Sequence, residues 1–385
     1  MNRNTPDRVA EALKRAPPSA TGVLFVDLAA MRRNYRTVKS AAAGATVAAV
    51  VKANAYGLGV AGAVTALKAE GCAIFFVATL AEAEAVRALC PEGARIFVLN
   101  GLPPGTAAQC HAAAACPVLG GHAELEEWLA YAKDAKGGAP AALHFDTGMS
   151  RLGFAPAEAE AILSHPALGA ADLRLVMTHL ACPDEAANPK NAAQLAFFNQ
   201  LAEHAPQSAW RSVAASAGIF LGPAYCRDLV RPGIALYGGR PGAAGANPME
   251  PVAHLYARIA QVRWAERGET VGYGATHTLK RRTKIATVMA GYADGFFRAL
   301  SASDARDGPA GHIGAHRLPL LGRVSMDLIT FDATDVPDAL VRRGGFVELL
   351  GERVTVDDLA SLAGTIGYEV LTALGARYRR VYLDD

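Results

Sequence analysis

The sequence predicts an α/β fold class: a closed (β/α)8 barrel of the TIM type, followed by a mostly β C-terminal domain. From residue 22 to about 240, short apolar runs alternate with longer alanine-rich segments. Repeated βα units over about 200–250 residues favour a closed barrel. After about residue 250, strand-like runs follow one another closely, with turn residues between them. An open doubly wound sheet is the alternative, but no G-x-G-x-x-G follows the first strand, so the barrel is preferred.

Eight strands are expected in the barrel, after a lead-in strand over residues 23–27. The eight runs are 47–52, 74–78, 95–99, 117–119, 141–145, 173–178, 212–215 and 233–237. Between most of them, apolar positions recur at intervals of three and four, which is typical of helices. The C-terminal half carries strand-like runs at 254–264, 283–291, 317–332 and 345–350.

The domain boundaries follow from this change in pattern. A glycine-rich loop over residues 238–245 is the natural linker between the two halves. We therefore expect an N-terminal extension over residues 1–20, a barrel over residues 21–245 and a β domain over residues 246–385.

Composition limits the function classes. The formal net charge is only +2, which weighs against a nucleic-acid partner, and 51% hydrophobic with 19% charged residues excludes a disordered chain. The first twenty residues contain no apolar run, and no later stretch has about 18 uncharged apolar residues. We expect neither a secretory signal nor a membrane span, and a cytoplasmic location is the simplest expectation.

Six cysteines all lie before residue 227, and no pair has the C-x-x-C spacing. This is not the pattern of a zinc or redox site, so no metal is expected. In a long chain without a signal peptide, ordinary thiols are more common than a disulfide framework.

Lys52 ends an apolar run, so its amine is expected at the mouth of the barrel, where catalytic groups gather. Partial desolvation there lowers the pKa of an amine, and such an amine can attack a carbonyl. A lysine that merely extends its charged end to solvent is the alternative. This residue alone does not decide between the two.

Eight motifs then occur in a family's order between residues 49 and 372: VVKANAYGLG, HFDTGMSRLGF, MTHLA, RPGIALYGG, VGYGATHT, AGYADGF, GRVSMDLITFD and IGYEVLT. The set closely resembles the alanine racemase family, and nearly the whole chain is covered. The first motif matches the family's pyridoxal-phosphate lysine segment. A single match would be weak, whereas eight in order are a specific signal.

The resemblance implies a fold-type III enzyme, with pyridoxal 5'-phosphate held by Lys52 in the barrel and a β domain that completes the site of a partner subunit. Racemisation needs one base on each face of the substrate's α-carbon, and a lysine with a tyrosine can supply them. By the motif match, Lys52 serves one face and Tyr273 the other. Because the family's tyrosine comes from a second chain, a homodimer with shared sites and L- or D-alanine as substrate is implied.

The same resemblance assigns the cofactor contacts. Arg231 matches the arginine that donates to the pyridine nitrogen, and His179 matches the residue that supports this arginine. A guanidinium can only donate, so it leaves that nitrogen unprotonated and weakens the ring as an electron sink. The family's phosphate contacts correspond here to Tyr56, Ser216, the backbone N–H groups of Gly233 and Ile234, and Tyr368.

Three further residues are implied near the substrate. Arg151 matches an arginine near the cofactor's phenolic oxygen and the substrate carboxylate, for which its bidentate fork is suited. The backbone N–H of Met326 is implied as a second carboxylate contact, and Tyr292 matches a residue that narrows the entrance.

Four positions depart from the commonest family pattern. His144 stands where many members have a lysine that becomes carboxylated and braces the arginine corresponding to Arg151. A histidine cannot carry that modification, so what holds Arg151 is left open. Ala215, Leu58 and Ser325 replace a common asparagine, histidine and cysteine, which puts substrate affinity and the entrance in question but not the reaction class.

The preferred function is therefore alanine racemisation, supplying D-alanine for peptidoglycan or serving alanine catabolism. A broader racemase of small amino acids such as serine is one alternative. A pyridoxal-phosphate decarboxylase is less favoured, because such enzymes usually place a carboxylate rather than an arginine at the pyridine nitrogen. A non-catalytic pyridoxal-phosphate protein would leave the domain after residue 250 unexplained.

Overall fold

A computed structural model describes residues 5–90, 93–135, 138–169, 171–243 and 245–384. They form two compact units. The barrel unit consists of Arg32–Leu236 and Arg240–Met249, and the β unit consists of Tyr237–Gly239 with the described residues up to Met31 and from Glu250 onward.

The first strand of the chain, β1 (Gly22–Asp27), belongs to the β unit and not to the barrel. The expected lead-in strand over residues 23–27 is therefore correct in position, but it is not a lead-in to the barrel. All six residues of β1 are buried. An apolar strand buried on both faces fits the interior of either sheet, so its sequence does not reveal its partners.

The barrel unit is built on parallel strands with helices between them. Its strands are β2 (Thr46–Val47), β3 (Ala49–Val50), β4 (Ile74–Val77), β5 (Arg95–Val98), β6 (Ala115–Leu119), β7 (Ala139–His144), β8 (Ala171–Met177), β9 (Trp210–Ser212) and β10 (Leu229–Val230). Strands β3 to β9 pair in sequence order, each parallel to the next.

Hydrogen bonds at β10 close this sheet. On one side β10 pairs in parallel with β2, and the Val50 N–H donates to the Pro232 carbonyl at 2.9 Å. On the other side the Arg231 N–H donates to the Ala214 carbonyl at 2.9 Å, just beyond β9. Since only Ala48 separates β2 from β3, the two act as one strand of a closed eight-stranded barrel. The predicted fold class is confirmed.

The eighth predicted strand, at residues 233–237, is wrong. The strand lies earlier, at β10, and Ile234–Tyr237 is a 3-10 helix. The Leu236 N–H donates to the Gly233 carbonyl at 2.8 Å, which closes a turn instead of a ladder. The segment is buried throughout, and a short buried apolar run does not distinguish a strand from a helical turn.

Helices fill the intervals between the barrel strands. One more helix, Leu28–Ala41, begins in the β unit and precedes β2. Those between the strands are Val60–Ala69, Leu80–Arg87, Ala107–Ala112, His122–Ala132, Ala159–Leu163, Pro189–Ala202 and Ser216–Ile219, with 3-10 helices Pro156–Glu158, Pro166–Gly169 and Pro223–Tyr225. Phe76 and Phe97, on neighbouring strands, stack with their ring centroids 4.8 Å apart. Trp128, on the helix His122–Ala132, is fully buried, as expected for an apolar position on the side of a helix that faces the core.

The β unit is mostly antiparallel. Its further strands are β11 (Ala253–Ala265), β12 (Thr270–Val271), β13 (His277–Thr278), β14 (Thr283–Val288), β15 (Ala310–Ile313), β16 (His316–Leu321), β17 (Ile329–Asp332), β18 (Phe346–Leu350) and β19 (Arg379–Leu383). The main sheet has the order β14-β17-β16-β15-β18-β11-β1-β19, and β11 also pairs with β14. The long β11 pairs with β1 and β18 up to Arg258 and with β14 from Ile259 onward, where the register shifts between Ile259 and Gln261.

The β unit also contains a few short helices. They are Thr5–Lys14, Val356–Ala363 and Gly367–Thr372, with 3-10 helices Tyr273–Ala275, Tyr292–Asp294 and Arg298–Leu300. The run at 317–332, expected as one strand-like stretch, divides into β16 and β17 with a loop between them. In the described part of the chain, no helix is long and apolar enough to cross a bilayer.

Candidate active site

The predicted barrel residues all follow carboxyl ends of barrel strands. Lys52 and Tyr56 follow β3, Arg151 follows β7, His179 follows β8, Ser216 follows β9, and Arg231, Gly233 and Ile234 follow β10. In a closed parallel barrel these ends share one face, which is where barrel enzymes place their chemistry. The topology therefore gathers eight predicted residues at one end of the barrel unit.

Lys52 is half-buried, two residues after β3 ends. Burial lowers the pKa of its amine, and the positive charge of Arg151 lowers it further, while Glu82 acts in the opposite direction. Among the residues that the structure describes, no carboxylate lies within ion-pair distance of this amine. A desolvated lysine without an ion pair has more of the neutral form that attacks carbonyls.

The segment after Lys52 has an unusual backbone. Residues 53–56 all have positive φ, between 52° and 54°, although none is glycine. Left-handed helical geometry costs about 1–2 kcal/mol per residue for L-amino acids, so the surrounding structure must hold it. Part of that support is local, since the Asn54 side chain accepts a hydrogen bond from the Val60 N–H at 2.8 Å. Strain of this kind is found at functional sites.

A tight polar cradle lies beyond β9 and β10. The Ser216 hydroxyl accepts hydrogen bonds from the N–H groups of Gly233, at 2.9 Å, and Ala235, at 3.3 Å. A Cβ atom on Gly233 would lie 2.1 Å from the Tyr56 hydroxyl oxygen, so only glycine leaves room here. Ile234 is buried in the same turn. Two hydroxyls and closely approaching backbone suit a phosphate group, which needs several donors at once.

Arg231 is buried, and burial lowers the pKa of its guanidinium to about 9. The guanidinium donates to the Ser212 hydroxyl, to the Thr178 carbonyl at 2.7 Å and to the Val213 carbonyl at 3.3 Å. Within the described ranges no carboxylate pairs with it. Neutral oxygens therefore fix a full positive charge inside the barrel.

Two histidines near this charge are held neutral. Burial, followed by the charge of Arg231, lowers the pKa of His144 to about 4 and that of His179 to about 3. The guanidinium hydrogen bonds of Arg231 go to strand-end oxygens, so support by His179 stays a prediction from the resemblance.

Arg151 lies on an exposed loop after β7. The Asp146 carboxylate accepts hydrogen bonds from the N–H groups of Gly148, at 2.9 Å, and Met149, at 2.7 Å. Burial opposes ionisation of Asp146, but the N–H groups of Gly148, Met149 and Ser150, with a smaller effect of His144, outweigh it and lower its pKa. In the described part of the chain no carboxylate lies within ion-pair distance of Arg151. The loop that carries Arg151 is thus held through its backbone N–H groups. His144 occupies the position of the family's carboxylated lysine.

Two polar residues at this end of the barrel, Gln194 and Glu82, are not among the site residues predicted from the sequence. Gln194 is buried, and its side-chain amide donates to the His179 carbonyl at 3.0 Å and accepts from the Ala181 N–H at 2.9 Å. Glu82 has a similar role beside Lys52. The sequence contains a signal for Glu82, since Thr79 and Glu82 have the spacing of a capping box. They form one at the start of the helix Leu80–Arg87. Nothing in the sequence marks Gln194.

The remaining predicted residues lie on the β unit. Tyr273, Tyr292, Met326 and Tyr368 belong to this unit, and all four side chains are exposed. Tyr273 begins a 3-10 turn between β12 and β13. Tyr368 lies on the helix Gly367–Thr372.

The structure brings Tyr292 and Met326 together within the β unit. The N–H of Ala293 donates to the Met326 carbonyl at 3.1 Å, and the N–H of Tyr292 donates to the Ser325 carbonyl at 3.0 Å. A Cβ atom on Gly291 would lie 2.2 Å from the Met326 carbonyl oxygen, so glycine is needed for this approach. Two motifs whose contacting residues lie more than thirty positions apart in the sequence are thus brought together.

The described residues contain no cluster of histidine, cysteine, aspartate or glutamate that could hold a metal ion. The barrel unit instead presents a desolvated lysine, a polar cradle of two hydroxyls and backbone N–H groups, and a buried guanidinium. This arrangement defines a class of protein, a barrel equipped to hold a phosphorylated carbonyl cofactor through a lysine.

Comparison with known families makes the assignment specific. The family model described as the N-terminal domain of alanine racemase matches residues 26–241, and that of the C-terminal domain matches residues 252–382. The chain belongs to the alanine racemase family, as the motif resemblance implied.

Two curated relatives match over nearly their whole length. A catabolic alanine racemase from Mesorhizobium japonicum is 47% identical over 366 residues, which covers 95% of this chain and 94% of the relative. A biosynthetic alanine racemase from Agrobacterium fabrum is 46% identical over 386 residues, which covers 98% of this chain and 97% of the relative. These identities do not separate the two roles.

Solved structures agree in fold. The crystal structure of alanine racemase from Bartonella henselae with covalently bound pyridoxal phosphate has a TM-score of 0.87 at 37% identity, covering 94% of this chain and 100% of that chain. The biosynthetic alanine racemase from Pseudomonas aeruginosa has a TM-score of 0.84 at 38% identity, covering 95% of this chain and 100% of that chain.

Proposed function

We propose that this chain is an alanine racemase that interconverts L- and D-alanine with pyridoxal 5'-phosphate bound to Lys52. The observation that carries the proposal is the position of Lys52. Its desolvated amine lies at the carboxyl end of a barrel strand, on the same barrel face as the cradle formed by Tyr56, Ser216 and Gly233. The family assignment gives this geometry its chemistry.

The residues present fit the cofactor. Because residue 233 is glycine, no side chain at this position displaces the Tyr56 hydroxyl from the backbone. The Ser216 hydroxyl and the nearby N–H groups supply the contacts that a phosphate takes. When bound, pyridoxal phosphate withdraws electrons from the amino acid's α-carbon and so makes its proton acidic. Ile234 belongs to this cradle, and Tyr368 is proposed as a further phosphate contact.

Arg231 tunes that electron withdrawal. A guanidinium donates a hydrogen bond but does not give up its proton, so at the pyridine nitrogen it leaves the nitrogen unprotonated. Its bonds to Thr178 and Val213 hold the group rigidly. A weaker electron sink limits side reactions such as decarboxylation or transamination, which suits an enzyme that only moves a proton.

Proton transfer requires a base on each face of the α-carbon. The Lys52 Nζ takes or returns the proton on one face, and the Tyr273 hydroxyl does so on the other. The substrate carboxylate is held by the Arg151 guanidinium and the Met326 N–H, and Tyr292 narrows the entrance. His179 supports Arg231 as an uncharged neighbour, consistent with its lowered pKa.

A homodimer with shared sites is part of the proposal. Tyr273 and Met326 are 67% and 51% exposed on the β unit, and Ile366 is 61% exposed. Side chains exposed to this extent on their own unit are available to contact a second copy of the chain. In a two-fold dimer the Tyr273 hydroxyl of one copy serves the Lys52 site of the other, so each copy completes its partner.

The proposal includes a cytoplasmic location, which the six free cysteines support because a reducing compartment keeps thiols unpaired. It leaves the physiological role open between D-alanine supply for peptidoglycan and alanine catabolism, because relatives of both kinds are equally similar.

The test is solvent deuterium exchange at the α-carbon of L- and D-alanine, measured separately on the purified protein, with chiral analysis and detection of carbon dioxide. Interconversion of both enantiomers with exchange and no gas is the expected result. Carbon dioxide would indicate a decarboxylase instead. Exchange with serine at a rate comparable to alanine would indicate a broader racemase, and no exchange with either would contradict the proposal.

A further inference from the structure

Glu82 ties two neighbouring strand ends together beside the lysine. One carboxylate oxygen accepts a hydrogen bond from the Ala53 N–H at 2.7 Å. The other accepts from the Ala78 N–H at 2.7 Å and the Thr79 N–H at 3.4 Å. Ala53 directly follows Lys52, whereas Ala78 and Thr79 follow β4. A single side chain therefore links the lysine segment to the next βα loop.

The linked segment is the one that needs support. Residues 53–56 form the left-handed turn described above, whose geometry is unfavourable in isolation. Ala53 is the first residue of that turn, and its N–H has its acceptor on Glu82 rather than within the turn. Hydrogen bonds to an ionised carboxylate are about twice as strong as neutral ones. The hydrogen bond from the Ala53 N–H to Glu82 therefore opposes unwinding of the left-handed turn at its end next to Lys52.

We propose that Glu82 is a positioning residue for Lys52, holding the left-handed turn so that the lysine amine keeps the orientation needed for cofactor attachment and proton transfer. This inference rests on the proposed function. Its distinctive feature is that Glu82 acts through the backbone N–H of Ala53.

The charge of Glu82 has a second effect. Burial and Arg151 both lower the pKa of the Lys52 amine, and Glu82 raises it. Removing the negative charge should therefore shift the Lys52 titration toward lower pH, a change that a purely structural contact would not cause.

The barrel contains a matched control in Glu124. Its carboxylate accepts hydrogen bonds from the Gly120 N–H at 2.9 Å and the Leu102 N–H at 3.3 Å. These N–H groups follow β6 and β5, so Glu124 links two neighbouring βα loops as Glu82 does. No predicted site residue lies in the loops that it joins. Glu124→Gln therefore reports the stability cost of losing such a link.

The experiment compares Glu82→Gln and Glu124→Gln with the original holoprotein. Glutamine keeps the shape but offers one acceptor oxygen, and its NH2 group would face an N–H donor. Two readouts are independent of turnover: the rate at which hydroxylamine removes the visible absorbance of the bound cofactor, and amide hydrogen exchange over residues 52–57.

For Glu82→Gln we expect cofactor removal about tenfold faster, faster exchange over residues 52–57, and an acidic limb of the pH–rate profile shifted to lower pH. Glu124→Gln should lower the melting temperature to a similar extent, with exchange faster only near Leu102 and cofactor removal unchanged. Equal cofactor removal and equal exchange at residues 52–57 in the two variants would overturn the inference.

If Glu82→Gln does not fold, Glu82→Asp replaces it. Aspartate keeps the charge with a shorter reach, so the pH profile should stay near the original while exchange over residues 52–57 rises; unchanged exchange would again overturn the inference. Failure of the proposed function is recognised separately. In that case the original holoprotein holds the cofactor but leaves alanine unchanged, while the hydroxylamine and exchange readouts still report on Glu82.

Discussion

The two sets of predicted site residues differ in how each compact unit holds them. On the barrel unit, Arg231 and Ser216 are each 2% exposed and bonded to neighbouring strand ends. On the β unit, the Tyr273 and Met326 side chains extend into solvent. The barrel residues are therefore preorganised, since hydrogen bonds within their own unit hold them. The β-unit residues are displayed, in the sense that their side chains project from the surface of their unit. Under the proposed function, the barrel groups hold the cofactor within one chain, and the displayed groups act at the site of a second chain.

The sharpest test of this contrast removes one reacting group from the preorganised set. Lys52→Ala should abolish both racemisation and the visible absorbance of the bound cofactor, because one amine both attaches the cofactor and moves the proton. Activity assays and an absorbance spectrum measure the two losses. The melting temperature serves as control when cofactor-free forms are compared, and it should hardly change, since the lysine is half-buried and no carboxylate in the described part of the chain pairs with it. Retained turnover would contradict the assignment.

Removing the reacting group of the displayed set should act differently. Tyr273→Phe should keep the cofactor and its spectrum but lose about 10²–10⁴-fold in rate, the usual contribution of one acid–base group. Stability should be unchanged, because the hydroxyl is exposed.

Mixing the two variants tests shared sites directly. A hybrid dimer of Lys52→Ala and Tyr273→Phe chains would contain one site with both groups intact. Partial recovery of activity on mixing is expected, whereas refolding each variant alone should give none. The absence of recovery, in a mixture shown by mass to contain hybrid dimers, would argue against cross-chain assembly.

Adding bulk to the cradle should affect cofactor and stability together. Gly233→Ala places a Cβ atom 2.1 Å from the Tyr56 hydroxyl, so the ring must shift. We expect a loss of about 1–3 kcal/mol in the free energy of unfolding and weaker cofactor binding. Gly242→Ala is the control, because no described heavy atom lies within 4 Å of the added carbon. Equal behaviour of the two variants would show that the cradle is not tight.

The smallest expected effect concerns pH. Burial and Arg231 lower the pKa of His144 to about 4 from its usual 6.5. The unfolded chain therefore binds more protons than the folded one between these values, and the neutral histidine's contribution to stability is lost as pH falls through that window. His144→Asn should reduce the loss of unfolding free energy between pH 7 and pH 5 by about 2 kcal/mol. Urea titrations at the two pH values measure this, and an unchanged difference would contradict it.

Much of the barrel, including its closed form, could be predicted from the sequence, but not the strand that closes it. Seven of the predicted strand runs lie on or beside observed strands, because buried apolar segments and amphipathic helices have different periods. The strand predicted at residues 233–237 is wrong, because a short apolar run is compatible with either a buried strand or a buried helical turn. The lead-in strand β1 also has an apolar pattern that suits either sheet, and only its pairing with β11 and β19 assigns it to the β unit.

The candidate site divides in the same way. Residues with distinctive chemistry, such as Lys52, Arg231 and Tyr273, lie in motifs that can be recognised in the sequence. Gln194 stands in no such motif, because its importance comes from the His179 carbonyl, which is distant in sequence. The capping-box spacing marks Glu82 as a helix cap but does not reveal its contact with Ala53. What replaces the family's brace on Arg151 was open from the sequence, and the structure places Asp146 beneath its loop.

By itself the sequence determined the family, the alternation of strands and helices, and the chemical groups of the site, since these depend on residue type and spacing along the chain. Only the tertiary structure decided the sheet to which β1 belongs, the closure through β10 and the left-handed turn after Lys52. Those features depend on hydrogen bonds between distant segments, and such bonds stabilise conformations that the local sequence disfavours.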